Sequence, residues 1–385
     1  MTTAHGPKHP GIGPSLSTMT PGSAALGHIR DRVDRALQAF VGQQRGVLLA
    51  AGDDLRPGAD SIAGLLAGGK RLRPAFCYWG WRGAGGPDCP EIINAAAALE
   101  LLHAGALIHD DLMDASDTRR GQPSLHRQFE ARHTDRGWHG SAEAFGMGVA
   151  ILFGDLLICW TDEMFHGSGL PGGALRRGRP VLDRMRTEVF AGQYLDPLGQ
   201  AVGDETVAGA LRVVEFQTAK YTIERPLHLG AALAGAGPDL AGDGGTAGDG
   251  PLAAAYTAYG LPLGIAFQLR DDILGVFGDP AQTGKPAGDD VREGKRTVLL
   301  AIARSRATAG QAQVIDRYLG DPLLDDAGTA EIRAAITGTG AVAECERMIA
   351  RHVSEAIAAL DGAPMTGEAR EALAELAVAA TARDG

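Results

Sequence analysis

Apolar residues recur at spacings of three and four along most of the chain, which is the period of one face of an α-helix. The pattern begins with Leu26, Ile29, Val33 and Leu37. It predicts further helices over residues 92–109, 142–166, 181–200, 205–234, 251–277, 296–319, 327–360 and 367–382. The strict alternation typical of β-strands is not sustained anywhere in the sequence. The sequence therefore predicts an all-α fold with a large core.

Segments rich in Gly and Pro separate the predicted helices, at residues 83–90, 167–180 and 235–251. Residues 1–22 mix Pro, Gly, Ser and Thr without an apolar period, so we predict a flexible N-terminal tail there. We predict that residues 23–385 form one domain, because the chemically informative motifs extend from Lys70 to Lys295.

Composition and charge narrow the possible functions. Hydrophobic residues make up 45% of the chain but aromatic residues only 5%, a mixture that favours close helix packing. The formal net charge of −11 argues against broad nucleic-acid binding, which needs an excess of clustered Lys and Arg. An anionic ligand would therefore need local basic residues.

The cysteines and the terminus indicate the compartment. Four scattered residues, Cys77, Cys89, Cys159 and Cys345, form neither a CxxC pair nor a dense disulfide framework, which fits a reducing, cytoplasmic location. The N-terminus lacks the basic and apolar regions of a signal peptide. We found no run of roughly 20 apolar residues, so no transmembrane segment is expected.

Two acidic segments about 160 residues apart carry the main chemical signal. In the first, LLHAGALIHDDLMDASDTRRG, Asp110, Asp111 and Asp114 follow an apolar helix, and their spacing puts the carboxylates on one helix face. A hard divalent cation relieves their repulsion, and Mg²⁺ is bound by one or two carboxylates together with substrate phosphates. Arg119 and Arg120 follow, suited to bidentate capture of phosphate oxygens.

The second acidic segment, GIAFQLRDDILGVFGDPAQTGKPAGDDVREGKRT, repeats this arrangement with Asp271 and Asp272. Upstream, the loop LLAGGKRLRP brings Lys70 and Arg73 next to a predicted helix start, where the helix dipole favours anions. The loop lacks the spacing of a nucleotide-binding P-loop. A solvated acidic helix end remains the plain alternative for either acidic segment taken alone.

Taken together and in this order, the motifs GGKRLRP, DDLMD with RRG, and QLRDDILG with GDP and GK closely resemble those of the trans-prenyl diphosphate synthases. The resemblance covers about residues 30–360. It implies a helical bundle of the isoprenoid synthase type with a central active-site cavity, and a homodimer. The implied reaction joins isopentenyl diphosphate to an allylic diphosphate through a Mg²⁺-assisted carbocation.

The family pattern also implies roles for individual residues. The metal ligands would be Asp110, Asp114 and Asp271. The diphosphate of isopentenyl diphosphate would be bound by Lys70, Arg73, His103 and Arg120. The allylic diphosphate would be bound by Arg119, Lys220, Gln268, Lys285 and Lys295. Arg71 and Arg270 are interpreted as solvated partners of nearby acids and are left out of the site.

Two departures from the family pattern stand out. The second motif usually reads DDxxD, but Gly275 supplies no carboxylate at its last position, so Asp272 and Asp279 become candidates for an outer shell around the metal. Tyr221 occupies a position where the family often has Thr, so the hydroxyl contact there is in doubt.

Product length should depend on the helix before DDLMD, because the growing chain runs along its buried face. Family members that stop at fifteen carbons commonly have aromatic residues where this chain has Gly105 and Ala106. We therefore predict a deep pocket, closed by Leu102 a helical turn further on and by Phe153 and Trp160 on the following helix. A twenty-carbon product, geranylgeranyl diphosphate, fits this depth best.

Several alternatives remain open. The product could be farnesyl diphosphate or a longer polyprenyl diphosphate. A terpene cyclase shares the first acidic motif, and the missing acid at Gly275 leaves room for a non-catalytic subunit of a heteromeric synthase. Glu100 with His103, and Glu163 with His166, also match the Glu-x-x-His spacing of a di-iron bundle.

Overall fold

Helices form almost all of the chain that the computed structural model describes, which comprises residues 21–236, 250–278 and 288–381. The all-α prediction is confirmed. The helices are α1 (Pro21–Ala51), α2 (Arg56–Leu66), α3 (Leu72–Gly83), α4 (Pro90–Met113), α5 (Leu125–Asp135), α6 (Ala142–His166), α7 (Gly172–Val202), α8 (Val207–Val214), α9 (Arg225–Ala234), α10 (Pro251–Phe277), α11 (Asp289–Arg292), α12 (Val298–Arg306), α13 (Ala309–Tyr318), α14 (Asp326–Gly338), α15 (Ala341–Ala358) and α16 (Gly367–Thr381).

Three shorter elements complete the described chain. A 3₁₀ turn spans Asp53–Leu55, and a π-helical segment spans Glu215–Glu224 between α8 and α9. Strand β1 (Thr118–Arg119) pairs antiparallel with β2 (Gln122–Pro123). Arg120 and Gly121 connect them with φ of 54° and 72°, as a tight two-residue hairpin turn requires.

Two apolar clusters form the core, and α10 contributes to both. The N-terminal half of α10 places Tyr256 and Tyr259 in the cluster built around α1, α3, α4, α6 and α9. Its C-terminal half places Leu269 and Ile273 in a second cluster with the C-terminal helices. The second acidic segment lies at the C-terminal end of α10. Because α10 packs in both clusters, the position of that segment is fixed.

Some helix boundaries differ from the prediction. The first helix begins at Pro21, one residue before the predicted end of the tail, and residues 1–20 lie outside the described chain. The segment 167–180, predicted as a connection, is already helical from Gly172. The helix predicted over 327–360 is divided between α14 and α15, because Gly340 has φ of 76°. The division into one tail and one domain stays a prediction.

The expectation about apolar length was wrong. Helices α4, α6 and α10 are each long and apolar enough to cross a membrane, judged by length and composition alone. Buried residues make up 72% of the apolar window in α4, 50% in α10 and 39% in α6. The apolarity of α4 is thus mostly accounted for by the core, whereas α6 also carries exposed apolar side chains such as Ile151 and Leu152.

Candidate active site

A cavity of about 1020 Å³ brings both acidic segments and the Gly-Gly loop together. Its walls come from α3, α4, α7, α8, the π-helical segment, α10 and the residues around α11. The predicted site residues on these walls are Lys70, Arg73, His103, Ala106, Asp110, Asp114, Arg119, Arg120, Gln268, Asp271 and Lys295. Positions from Lys70 to Lys295 therefore meet at one ligand-sized space.

The hairpin after α4 places Arg119 against the first acidic segment. Arg119 Nε donates to Asp111 Oδ1 at 2.7 Å, and its Nη2 lies 3.4 Å from Asp110 Oδ2. The second oxygen of Asp110 accepts a hydrogen bond of 2.9 Å from Gln193 Nε2 on α7. Asp111 is thus held by an arginine, whereas Asp110 faces the cavity.

Asp114, at the end of α4, lies in a cluster of mixed charge. Burial and the neighbouring carboxylate of Asp110 raise the pKa of Asp114 to about 6. Lys295 Nζ lies 3.3 Å from Asp114 Oδ2 and 2.8 Å from Glu293 Oε2. Burial lowers the pKa of Lys295, but the carboxylates of Asp290, Glu293 and Asp114 outweigh it, so the net pKa is raised and the ammonium stays charged.

The second acidic segment is organised by a chain of hydrogen bonds from the π-helical segment. Thr218 Oγ1 donates to Gln268 Oε1 at 2.7 Å, and Gln268 Nε2 donates to Asp272 Oδ1 at 2.8 Å. Asp272 is only 2% exposed, and its Oδ2 has no hydrogen-bond partner among the described residues. Burial raises the pKa of Asp272 to about 7, with the charges of Asp290 and Asp271 adding to the effect.

The donor set fits a divalent cation that takes part of its shell from a ligand. Asp110, Asp114 and Asp271 offer only oxygen, the ligand type that Mg²⁺ prefers. A cation would reduce the repulsion between the carboxylates of Asp114 and Asp110. It would also compensate Asp272 Oδ2, which has no hydrogen-bond partner among the described residues. Over the described ranges, no three His, Cys, Asp or Glu side chains lie close enough to hold a metal by themselves.

Another part of the cavity lining is basic, with Lys70, Arg73 and Arg120. A Cβ added at Gly69 would lie 3.5 Å from Arg120 Nη2, so the Gly-Gly loop and the hairpin are neighbours here. Arg120 Nη1 donates to Leu65 O at 3.0 Å. Burial and the positive charge of Arg71 lower the pKa of the Arg120 guanidinium. A bound anion would offset this concentration of positive charge.

Arg73 and His103 complete this basic wall. Arg73 Nη2 donates to Thr222 Oγ1 at 2.9 Å, and its guanidinium stacks 4.4 Å from the centroid of the Tyr221 ring. Tyr221 therefore contributes its aromatic face, and the hydroxyl contact at this helix comes from Thr222. Burial and then the charges of Arg73 and Arg120 hold the pKa of His103 well below its usual value.

One of the predicted allylic contacts, Lys220, is not among the described residues that line the cavity. Its Nζ lies 3.1 Å from Glu215 Oε1 and 4.4 Å from the centroid of the Phe216 ring. A π-helical turn is wider than an α-turn, so it changes which side chains face inward, and Gln217 and Thr218 line the cavity instead. Lys285, like Asp279, lies outside the described residues.

The predicted chain-length pocket is only partly supported. Ala106 lines the cavity, but the described lining includes neither Leu102 nor Gly105. A Cβ at Gly105 would lie 2.8 Å from the backbone oxygen of Gly154, so Gly105 lets α4 approach α6 closely. Leu102 is buried in the core.

The residues predicted to close the pocket pack elsewhere, and these assignments are corrected. Phe153 contacts the Phe129 ring, with the two centroids 6.0 Å apart, and Trp160 packs edge-on against Phe40 at 6.1 Å. On the cavity side, the apolar lining comes from Val189, Val214 and Phe267 as well as Ala106.

Sequence reasoning missed the role of Arg71. It is not solvated: its side chain is 2% exposed, and it donates to Glu100 Oε2 and to Asp34 Oδ1, both at 2.7 Å. Its position inside GGKRLRP was the available signal. Gln193, which positions Asp110, gave no comparable signal in the sequence.

The di-iron interpretation is not supported by these contacts. Glu100 is engaged with Arg71, and Glu163 Oε1 accepts a hydrogen bond of 2.6 Å from Gln44 Nε2. The two Glu-x-x-His pairs therefore use their carboxylates for structural pairing.

Comparison with known proteins shows the family to which the chain belongs. The polyprenyl synthetase family model matches residues 59–336. The crystal structure of geranylgeranyl pyrophosphate synthase from Corynebacterium glutamicum, complexed with isoprenyl diphosphate and magnesium, is 41% identical; it matches with a TM-score of 0.85 over 94% of this chain and 99% of its own.

Curated relatives are similar over most of the chain. A geranylfarnesyl diphosphate synthase from Aeropyrum pernix is 35% identical over 66% of this chain and 71% of its own length. A heptaprenyl diphosphate synthase component 2 from Geobacillus stearothermophilus is 32% identical over 83% of this chain and 88% of its own length. The relatives are thus named for products of different lengths.

Proposed function

The chain belongs to the polyprenyl synthetase family and is a prenyltransferase, and from this premise we propose that it condenses isopentenyl diphosphate with an allylic diphosphate in a magnesium-dependent reaction, giving geranylgeranyl diphosphate. The observation that carries the proposal is the shared cavity, whose lining includes Asp110 and Asp271 together with Lys70 and Arg73. An acidic wall suits metal-bridged diphosphate, and a basic wall suits a second diphosphate.

In this proposal, Asp110, Asp114 and Asp271 would hold Mg²⁺, and Arg119 and Lys295 would bind oxygens of the allylic diphosphate. When bound, the metal disperses the negative charge that develops on the departing diphosphate. Lys295 and Arg119 are held in place by ion pairs before the ligand arrives, so little reorganisation is needed. Such preorganised contacts are worth on the order of 3 kcal/mol each.

The chemical steps need no nucleophilic side chain. The allylic C–O bond breaks and its electron pair leaves with the diphosphate. The alkene of isopentenyl diphosphate, held by Lys70, Arg73, His103 and Arg120, supplies the electrons of the new C–C bond. A proton is then lost to the departing diphosphate, which restores the double bond. The apolar wall formed by Ala106, Val189 and Phe267 keeps water from the cation.

The twenty-carbon product is supported by the small side chain of Ala106 on the cavity wall, which leaves room for a chain longer than fifteen carbons. Relatives named for geranylgeranyl and geranylfarnesyl products are both consistent with a deep cavity.

We also propose a homodimer in the cytoplasm. Exposed apolar side chains on α6, including Ile151 at 46% and Leu152 at 69% exposure, support association with a second copy. The four cysteines are free thiols, which fits a reducing compartment. Light scattering of the purified chain tests the dimer, and a monomer at micromolar concentration would contradict it.

Two other functions are distinguished by one assay. The purified chain is incubated with Mg²⁺ and isopentenyl diphosphate together with dimethylallyl, geranyl or farnesyl diphosphate, and the product length is measured. The proposal expects geranylgeranyl diphosphate from each primer. A cyclase would release a hydrocarbon or alcohol without consuming isopentenyl diphosphate, and a non-catalytic subunit would leave both substrates unchanged.

A further inference from the structure

Gly275 leaves the second acidic segment one carboxylate short, and the structure shows what occupies the space. A Cβ added at Gly275 would lie 1.8 Å from Oδ2 and 2.4 Å from Cγ of Asp290. No side chain can begin at position 275 while Asp290 keeps this position. The glycine and the aspartate are therefore alternatives for one volume.

Asp290 comes from α11, beyond residues 279–287, which the structure does not describe, yet it lines the same cavity as the second acidic segment. It is 9% exposed, and its backbone oxygen accepts a hydrogen bond of 3.0 Å from Lys295 N.

A second observation concerns a buried carboxylate oxygen of the same acidic segment. Asp272 Oδ2 is fully enclosed and has no hydrogen-bond partner among the described residues, while Gln268 is bonded to the other oxygen. Lys295 Nζ already lies close to Asp114 and Glu293. Buried carboxylates placed side by side are costly unless a cation compensates them.

We propose that Asp290 takes the place of the carboxylate missing at Gly275 and helps position the divalent cation that the second acidic segment shares with diphosphate. This inference rests on the proposed function. Asp290 acts as a positioning residue, through oxygen atoms that can accept hydrogen bonds from the hydration shell of the cation. Gly275 is then a requirement of this arrangement and does not indicate lost activity.

The test measures binding of Mn²⁺, as a spectroscopic substitute for Mg²⁺, by electron paramagnetic resonance in the presence of inorganic pyrophosphate. Asp290→Asn keeps the shape of the side chain and removes its charge, and we expect Mn²⁺ to bind about tenfold more weakly. Asp60→Asn is the matched control, because Asp60 is exposed on α2 and pairs with Arg45. Its Mn²⁺ affinity should equal that of the unmodified chain.

Variants at Gly275 test the exchange of positions. Gly275→Asp should weaken Mn²⁺ binding, because the new side chain displaces Asp290. The double variant Gly275→Asp/Asp290→Gly returns the carboxylate to α10, and it should bind Mn²⁺ within about threefold of the unmodified chain. Circular dichroism verifies that each variant is folded before its affinity is compared.

Unchanged Mn²⁺ affinity in folded Asp290→Asn, or in folded Gly275→Asp, would overturn the inference, as would a double variant no better than Gly275→Asp alone. Failure of the proposed function is recognised separately. In that case, the unmodified chain forms no prenyl product from isopentenyl and allylic diphosphates, whatever the Mn²⁺ affinities of the variants.

Discussion

Lys295 Nζ lies 3.3 Å from Asp114 Oδ2, and this ion pair links the end of α4 to the segment that follows α11. A second contact joins the same regions, since Ser116 Oγ donates to Glu293 Oε1 at 3.0 Å. Residues of the first and second acidic segments are thus held together around the cavity.

Two of the three lysines assigned to the allylic diphosphate, Lys220 and Lys295, should behave differently on substitution. Lys295→Met removes a charge from the cavity, and kcat/KM for the allylic substrate should fall roughly 100-fold, as expected for a contact worth about 3 kcal/mol. Lys220→Met should change it less than about threefold, because Lys220 pairs with Glu215 away from the described lining. Steady-state kinetics decide, and equal losses in both variants would refute the assignment.

Neighbouring positions on α4 should separate product length from stability. Ala106→Phe fills the cavity wall and should shift the product from twenty toward fifteen carbons, measured by chromatography of the dephosphorylated prenols. Gly105→Ala should leave product length unchanged but lower stability, by about 1–3 kcal/mol, since the added methyl meets the Gly154 carbonyl. A product of unchanged length from Ala106→Phe would contradict our account of the pocket.

Binding of isopentenyl diphosphate should be coupled to proton uptake by His103. In the free chain, burial and the charges of Arg73 and Arg120 keep the pKa of this imidazole below 6.5, so it is neutral at pH 7. A bound diphosphate offsets those charges and raises the pKa. Affinity should therefore rise as the pH falls through the pKa of the bound state, and the gain levels off below that of the free state.

Calorimetry in buffers of different ionisation enthalpy measures this uptake. His103→Gln is the reference, because the diphosphate also titrates in this range. Proton uptake of equal size in both proteins would show that His103 does not contribute.

The buried Arg71–Glu100 pair should matter for stability. Arg71→Met leaves Glu100, which is 4% exposed, without its cation, and should lower the free energy of unfolding by about 3–5 kcal/mol. Arg45→Met breaks the exposed pair with Asp60 and should cost at most about 1 kcal/mol. Denaturant unfolding compares the two, and equal losses would mean that the buried pair contributes no more than a surface pair.

Much of this arrangement could be predicted from local sequence. Helical period and the spacing of Asp110, Asp114 and Asp271 are properties of short segments, and the motifs identified the residues that the cavity collects. Long-range packing could not be predicted. The function of Gly105 depends on Gly154, which lies on another helix, and that of Gly275 depends on Asp290 beyond a loop. The direction of Lys220 depends on a π-helical turn that no periodicity indicates.

In our account, Asp110, Asp114 and Asp271 would hold the metal on which transfer from an allylic diphosphate to isopentenyl diphosphate depends. The most direct measurement follows radiolabelled isopentenyl diphosphate, with farnesyl diphosphate and the purified chain, into acid-labile allylic product, with and without Mg²⁺. The account predicts label in a twenty-carbon allylic diphosphate only when Mg²⁺ is present, and a loss of at least about 100-fold in Asp110→Asn. Transfer that persists with excess chelator, or no transfer by the folded chain with Mg²⁺, would contradict it.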